Sequence, residues 1–145
     1  GFNLVLGNRE GICWYSNRDG RILRLSPGIY GISNRLLDTP WPKVVRGKEM
    51  LEESLQNADP PSPEELFQIL SDRTFPPDEM LPSTGVDLEW ERILSPLFIK
   101  SPTYGTRSST VLFVGKDRRI ILLDRTFGPD RGPVDPRRFE FTIEG

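Results

Sequence analysis

The sequence predicts an α+β fold, an antiparallel sheet with a helical layer on one side. Three observations carry this expectation. The first third alternates short apolar segments with Gly, Asn and Asp turns, the middle carries apolar residues at helical spacing, and strand patterns return after Pro96. Strands, then helices, then strands is the order of an antiparallel sheet with its helices segregated, unlike the alternation of a parallel βαβ sheet.

The first strands are expected over Phe2 to Leu6, Ile12 to Ser16, Ile22 to Leu25 and Gly28 to Ser33, each bounded by turn residues. From Thr39 the period changes. Thr39-Pro40 suits a cap and first-turn pair, and Trp41, Val44, Val45, Lys48, Leu51 and Leu55 recur at helical spacing, giving a helix to about Gln56. Ser62-Pro63-Glu64-Glu65 combines a capping serine, a proline at the first helical position and a glutamate three residues after the cap, ahead of Leu66, Phe67, Ile69 and Leu70. A second helix starts there. Phe75 to Pro82 holds three prolines and is expected to be irregular, and Asp87 to Leu94 allows a third, short helix.

Strand signals resume at Leu97 to Lys100 and Ser108 to Val114, turn through Gly115-Lys116-Asp117, and continue at Arg119 to Asp124 as a long hairpin. Gly128 to Pro136 reads as a loop, and Arg137 to Ile143 alternates apolar with polar residues as a half-exposed strand does. The helices form one continuous block and cover only one side of such a sheet, so the other side needs a cover from outside these elements.

Composition narrows the function. The 145 residues suit one core, on the usual ~100–200 residues per domain, and with no initiator methionine the chain is expected to be a piece of a larger domain. Nineteen Lys and Arg against 21 Asp and Glu leave no positive excess to hold a nucleic acid. No apolar run approaches the ~20 residues of a membrane-spanning helix, so a soluble, non-spanning piece is expected. Cys13 is the single cysteine, which leaves no intrachain disulfide and fits a reducing compartment and simple chance equally well.

The chain contains no histidine, so Ser-His-Asp and Cys-His arrangements cannot be assembled from it. Gly31-Ile32-Ser33-Asn34-Arg35 matches only half of a Gly-x-Ser-x-Gly turn, and neither a phosphate-cradling glycine loop nor a zinc ligand set is present. Three clusters remain. Tyr15-Ser16-Asn17-Arg18 ends a strand in polar groups and is either a turn, with Asn17 and Asp19 bonding their own backbone, or a binding element. Gly28 to Asn34 presents Ser33 and the Asn34 amide, a donor for a developing oxyanion or else a cap for the turn into Arg35.

The third cluster, Tyr104-Gly105-Thr106-Arg107-Ser108-Ser109-Thr110, sets an arginine at the mouth of an apolar strand. Arg107 there either offers a bidentate fork to a carboxylate or phosphate or pairs with an acidic neighbour such as Asp38 or Asp19. Candidate ligand contacts are therefore Tyr104, Thr106, Arg107, Ser33, Asn17 and Arg18. Leu36 to Lys43 is better explained by folding, as the segment that positions Asn34.

Taken together, Gly1-Phe2-Asn3-Leu4, Tyr15-Ser16-Asn17-Arg18, Gly28 to Asn34, Leu37-Asp38-Thr39-Pro40-Trp41-Pro42-Lys43 and Tyr104-Gly105-Thr106-Arg107 resemble the NRDE family, that of the transport and Golgi organisation 2 proteins. The resemblance runs to Phe139-Glu140-Phe141-Thr142-Ile143 and makes residues 1–145 the carboxy-terminal part of a single family domain whose amino-terminal half would be its partner. Family members begin Met-Cys and carry an Asn-Arg-Asp-Glu signature in that half, which Asn17-Arg18-Asp19-Gly20 does not replace.

The family is similar in layout to four-layer αββα N-terminal-nucleophile hydrolases, in which a terminal cysteine attacks an amide and its own amine is the base. This chain would be half of such a fold. On that resemblance Asn34 matches the oxyanion-hole amide and Arg107 the arginine near the nucleophile, the nucleophile itself lying outside the chain, since Gly1 is not one. The resemblance also implies haem trafficking or lipid and acyl-coenzyme A metabolism, in the cytoplasm or, in eukaryotes, at mitochondria or the Golgi. Haem is thus the one cofactor it admits; since this chain offers only Cys13, Met50, Met80 and its tyrosines as iron-ligand types, axial ligation is expected from the other half, with apolar contacts and Arg107 as a propionate partner here. The expected function is a haem or lipid carrier with a hydrolase-like pocket, and the alternative is an amidohydrolase with an upstream cysteine.

Overall fold

A computed structural model describes residues 1–8, 10–58, 60–128 and 136–143 of the chain. The elements run β1 (Asn3–Asn8), β2 (Gly11–Ser16), β3 (Ile22–Leu25), α1 (Pro42–Asn57), α2 (Pro63–Leu70), α3 (Leu88–Leu94), β4 (Ser108–Val114), β5 (Arg119–Thr126) and β6 (Arg137–Thr142). The α+β class holds, but the strands build two three-stranded antiparallel sheets, β1-β2-β3 and β4-β5-β6, instead of one. β3 stops just before Ser26-Pro27, and proline has no N–H to continue a ladder.

Gly28 to Ser33, expected as a strand, is not one. Its backbone is satisfied locally: Gly31 N–H donates to Asp38 Oδ1 at 2.8 Å, and Asp38 N–H returns a bond to Gly31 O at 2.8 Å. Leu97 to Lys100 is likewise reduced to one bridge, Lys100 with Gly105, because Ile99 N–H is taken by the Thr106 hydroxyl at 2.9 Å. At Gly105 the backbones run close, since a Cβ would stand 3.0 Å from Ile99 O and displace it by a few tenths of an ångström. Of the loop expected over Gly128 to Pro136, residues 129–135 lie outside the described residues.

α1 starts later than Thr39-Pro40 indicates. Trp41 is its N-cap without a side-chain bond and Pro42 its first residue, while the Thr39 hydroxyl donates to Leu36 O at 2.9 Å and is thereby occupied. α2 has the expected capping box, with Glu65 N–H to Ser62 Oγ at 3.2 Å and Ser62 N–H to Glu65 Oε2 at 2.8 Å. Asp87 caps α3 through Trp90 N–H at 2.9 Å. Within the proline-rich stretch, Asp78–Met80 forms a single 3-10 turn, whose Asp78 pairs with Arg92 of α3. No helix among the described residues is long and apolar enough to cross a membrane.

The core lies where α2 meets the second sheet. Phe67 of α2 is 1% exposed against Val111 of β4 and Leu123 of β5, with Leu66, Leu70, Phe113 and Ile121 around it. Arg125 of β5 lies with its guanidinium carbon 4.2 Å from the Phe67 ring centroid and donates to Glu64 at 3.0 Å, tying β5 to the first turn of α2. α1 packs on α2 and is fastened to its end by a bidentate bond from Arg46 to Asp72 at 2.7 and 2.9 Å.

The hydrogen bonds from Arg46 hold the Asp72 carboxyl below its ordinary value of 3.8, against the opposing effect of burial. A depressed folded-state value stabilises the fold above pH 3.8, and the stabilisation is lost as pH falls through that value towards the folded one. Asp72→Asn is therefore expected to lower stability at neutral pH and to flatten this part of the acid branch, as read by urea titrations over an acid pH series. An unchanged acid branch would show that the pair does not contribute.

Candidate functional site

A cavity of about 610 Å³ opens between residues 29–34, α1, α2 and the β4 residues Thr110 to Leu112. Its walls are mainly aliphatic, with Ile32, Val44, Leu51, Leu66, Leu70 and Val111 among them. Two lysines, Lys43 and Lys48, belong to the same lining. They and Val44 come from α1 at positions 43, 44 and 48, one helical face.

The loop that walls this cavity is held at both ends. Asp38 adopts a left-handed backbone, φ 52°, and its carboxylate receives both Gly31 N–H and Lys48 Nζ at 2.8 Å. Burial raises the Asp38 pKa, but the bonds from Lys48 and Gly31 together outweigh it, and the group ends below the ordinary aspartate value. Gly31 must be glycine, because a Cβ there would lie 2.6 Å from Val44 Cγ1. On the other side, Trp14 Nε1 donates to Asn3 Oδ1 at 3.1 Å, and Asn3 Nδ2 donates to Arg35 O at 2.8 Å and to Ser33 O at 3.4 Å. Asn34 thus sits between two anchored neighbours and lines the cavity with its side chain exposed.

Lys43 differs from Lys48. Its Nζ donates to Leu94 O, at the end of α3, at 2.8 Å, and no carboxylate lies within 4 Å of it among the described residues. Burial holds its pKa below the ordinary 10.5, with the more distant Glu91 carboxylate opposing the shift. Glu91 is itself 6% exposed and accepts Thr84 N–H at 2.6 Å and the Thr84 hydroxyl at 2.7 Å. An ammonium has three donors, and the bond to Leu94 O uses one of them. A second cavity of about 390 Å³, beside Phe75 to Pro77, shares Lys43 and Leu97 with the first.

Of the residues expected to bind, the structure brings Ser33 and Asn34 to the large cavity; Tyr104, Thr106, Arg107, Asn17 and Arg18 are not in its lining. Asn17 Oδ1 accepts Phe2 N–H at 2.7 Å, and the turn after it closes through Gly20 N–H to Ser16 O at 2.8 Å. Arg18 is exposed. Tyr104 stacks edge-on against Trp90 at 6.0 Å, and Arg107 is exposed at the start of β4. Neither suggested acid pairs with it, since Asp38 bonds Lys48 and Asp19 bonds Arg21. The sequence marks Lys48 only as one of the residues recurring at helical spacing and Lys43 only as the end of the segment that positions Asn34.

The arrangement offers apolar walls, the exposed Asn34 residue and two lysines, of which Lys48 is paired with Asp38, a composition that suits an amphiphile with an anionic end. Comparison with known sequences gives the lineage. The family described as Transport and Golgi organisation 2 matches residues 1–129. The chain belongs to this family. The NRDE resemblance of the sequence and this family are the same. Among curated relatives, the Transport and Golgi organization protein 2 homolog of Homo sapiens is 30% identical over 158 residues, covering 99% of this chain and 57% of the relative. The homolog of Bos taurus is 33% identical over 157 residues, covering 98% and 55%. The chain thus spans just over half the length of the relatives it matches.

Proposed function

We propose that this chain supplies the ligand cavity of a small-molecule carrier of the family, one that holds a lipid or acyl-coenzyme A-related ligand, or haem, in a hydrolase-like pocket. The observation that carries this reading is the aliphatic cavity with Lys43 in its wall, an ammonium with donors to spare and no counter-ion within 4 Å among the described residues. Such a group suits a carboxylate or phosphate end while the walls hold the apolar part. The haem version fits less well here. Cys13, Met50 and Met80 lie outside the lining, and the hydroxyl of Tyr30, the one tyrosine in it, donates to Ser26 O at 2.9 Å. Apolar contact and propionate pairing with the lysines support that version, not ligation of iron by these residues.

The test is titration of the full-length protein with a long-chain fatty acid and, separately, with haemin. Lys43→Met is expected to weaken fatty-acid binding about tenfold, the loss of one charge-assisted hydrogen bond of about 1.5 kcal/mol. Binding should also weaken as pH rises towards 10.5, beginning earlier than for an exposed lysine, because the ammonium deprotonates early. Saturable binding unaffected by Lys43→Met removes the assigned anchor, and no saturable binding of either probe removes the carrier.

A second reading, a cysteine amidohydrolase of the N-terminal-nucleophile kind, is favoured by Asn34, whose neighbours are fixed while its amide is exposed at the cavity. In that reading this chain is the carboxy-terminal part of one αββα domain and the nucleophile lies in the rest. A panel of amide and thioester substrates tests it on the full-length protein. Turnover that survives replacement of the terminal cysteine would exclude it.

A further inference from the structure

β4 is the edge strand of its sheet, and its free edge borders the large cavity. Two bonds at the ends of the hairpin set the phase of its ladder: Gly115 N–H donates to Arg119 O at 2.8 Å, and Phe127 N–H to Arg107 O at 2.9 Å. Opposed residues of an antiparallel pair alternate between exchanging both backbone bonds and exchanging none. With Ser108 opposite Thr126 and Val114 opposite Ile120, the bonded positions of β4 are Ser109, Val111 and Phe113. Thr110 and Leu112 therefore turn N–H and C=O away from β5, on the side where the sheet has no further strand. These backbone groups have no hydrogen-bond partner among the described residues.

Thr110, Val111 and Leu112 line the cavity in succession. Successive side chains of a strand point to opposite faces, so a space that touches three in a row meets the strand at its edge. Residues 29–34 share this lining and have strand composition, yet they do not close the edge. Both backbone groups of Gly31 are bonded to Asp38, and Ser33 O accepts from Asn3.

A free strand edge is a template for another extended backbone. This one lies among aliphatic walls, with Lys43 in the same lining. A fatty-acid carboxylate only accepts hydrogen bonds and leaves the edge carbonyl without a donor. An N-acylated α-amino acid supplies both groups. Its amide N–H and its carboxylate flank one carbon, and in the extended form they point to one side, as the N–H and C=O of a bonded ladder residue do.

We infer that the cavity takes an N-acylated α-amino acid as a one-residue added strand at Leu112: the amide N–H donates to Leu112 O, the carboxylate accepts Leu112 N–H, and the acyl chain lies on the aliphatic walls. Leu112 is the pairing residue in preference to Thr110, whose hydroxyl is bonded to the Asp124 carboxylate at 2.8 Å, because a second negative charge beside Asp124 is repelled. The inference rests on reading the cavity as a ligand site and specifies the polar end of that ligand.

Calorimetric titration of the full-length protein tests it with three probes of equal chain length: N-dodecanoylglycine, its ester analogue dodecanoyloxyacetate, and pentadecanoic acid. The glycine conjugate is expected to bind about tenfold more tightly than the ester, which replaces the N–H donor by an oxygen without adding bulk. Leu112→Pro removes the outward N–H, a change that edge strands tolerate, and is expected to weaken binding of the glycine conjugate about tenfold relative to Leu112→Ala, which controls for the lost side chain. Equal affinity of conjugate and ester overturns the inference, and so does a folded Leu112→Pro that binds as Leu112→Ala does. If Leu112→Pro fails to fold, the comparison of conjugate with ester on the unaltered protein decides. Pentadecanoic acid separates the two readings: saturable binding of it with no preference for the conjugate overturns this inference and leaves the carrier, whereas no binding of any probe removes both.

Discussion

Phe67→Ala is expected to destabilise the chain by about 3–5 kcal/mol, the cost of deleting a fully buried phenyl ring and leaving a cavity behind it. Phe67 is 1% exposed, meets both Val111 and Leu123, and carries the Arg125 guanidinium on its ring face. Its loss therefore removes apolar packing and also a cation–π contact, leaving Arg125, whose Nε has no partner among the described residues, over an empty space. Urea unfolding followed by circular dichroism measures the effect. Phe67→Leu, which keeps most of the volume, should cost markedly less. Equal losses for the two variants would mean that the ring's shape and its arginine contact decide stability, not its volume.

Trp14→Ala is expected to cost a similar ~3–5 kcal/mol and, unlike Phe67→Ala, to disturb the cavity loop directly. Trp14 is 3% exposed, and its N–H fixes the Asn3 amide that holds the carbonyls of Ser33 and Arg35. Trp14→Phe separates packing from that relay: it keeps a ring but removes the N–H, and is expected to cost about 1 kcal/mol for the bond alone. Hydrogen exchange of the amides around Asn34 should accelerate in both variants. Unchanged exchange in Trp14→Phe would show that Asn3 holds the loop without the indole.

Local chemistry was legible where it decides the structure by itself. Ser62-Pro63-Glu64-Glu65 specifies a helix start within four residues, and the structure has both bonds of the box. The β4–β5 hairpin is equally local, with Gly115 N–H to Arg119 O at 2.8 Å closing its turn. Tertiary contacts decided otherwise elsewhere. Gly28 to Ser33 has strand composition, yet Asp38 captures the Gly31 N–H, and a strand pattern cannot report a side chain seven residues away. Thr39-Pro40 has a good cap signature, but the Thr39 hydroxyl is committed to Leu36 O.

The candidate site divides the same way. Ser33 and Asn34 were visible as polar groups ending a glycine-rich segment, and both reach the cavity. Lys43 was not, because its importance comes from the Leu94 carbonyl fifty-one residues away and from burial, neither of which has a signature in the local sequence.

The clasp between Gly31 and Asp38 also bears on how the chain tolerates changes in length. Its two reciprocal 2.8 Å bonds close a loop of fixed span, and Lys48 locks the same carboxylate from α1. One residue inserted between positions 31 and 38 changes that span and releases both Gly31–Asp38 bonds together. The exposed turn at Lys116 and Asp117 carries no such long-range tie, so inserted residues there extend into solvent. Length variation among descendants of this sequence should accumulate at the hairpin tip and be purged from the clasp.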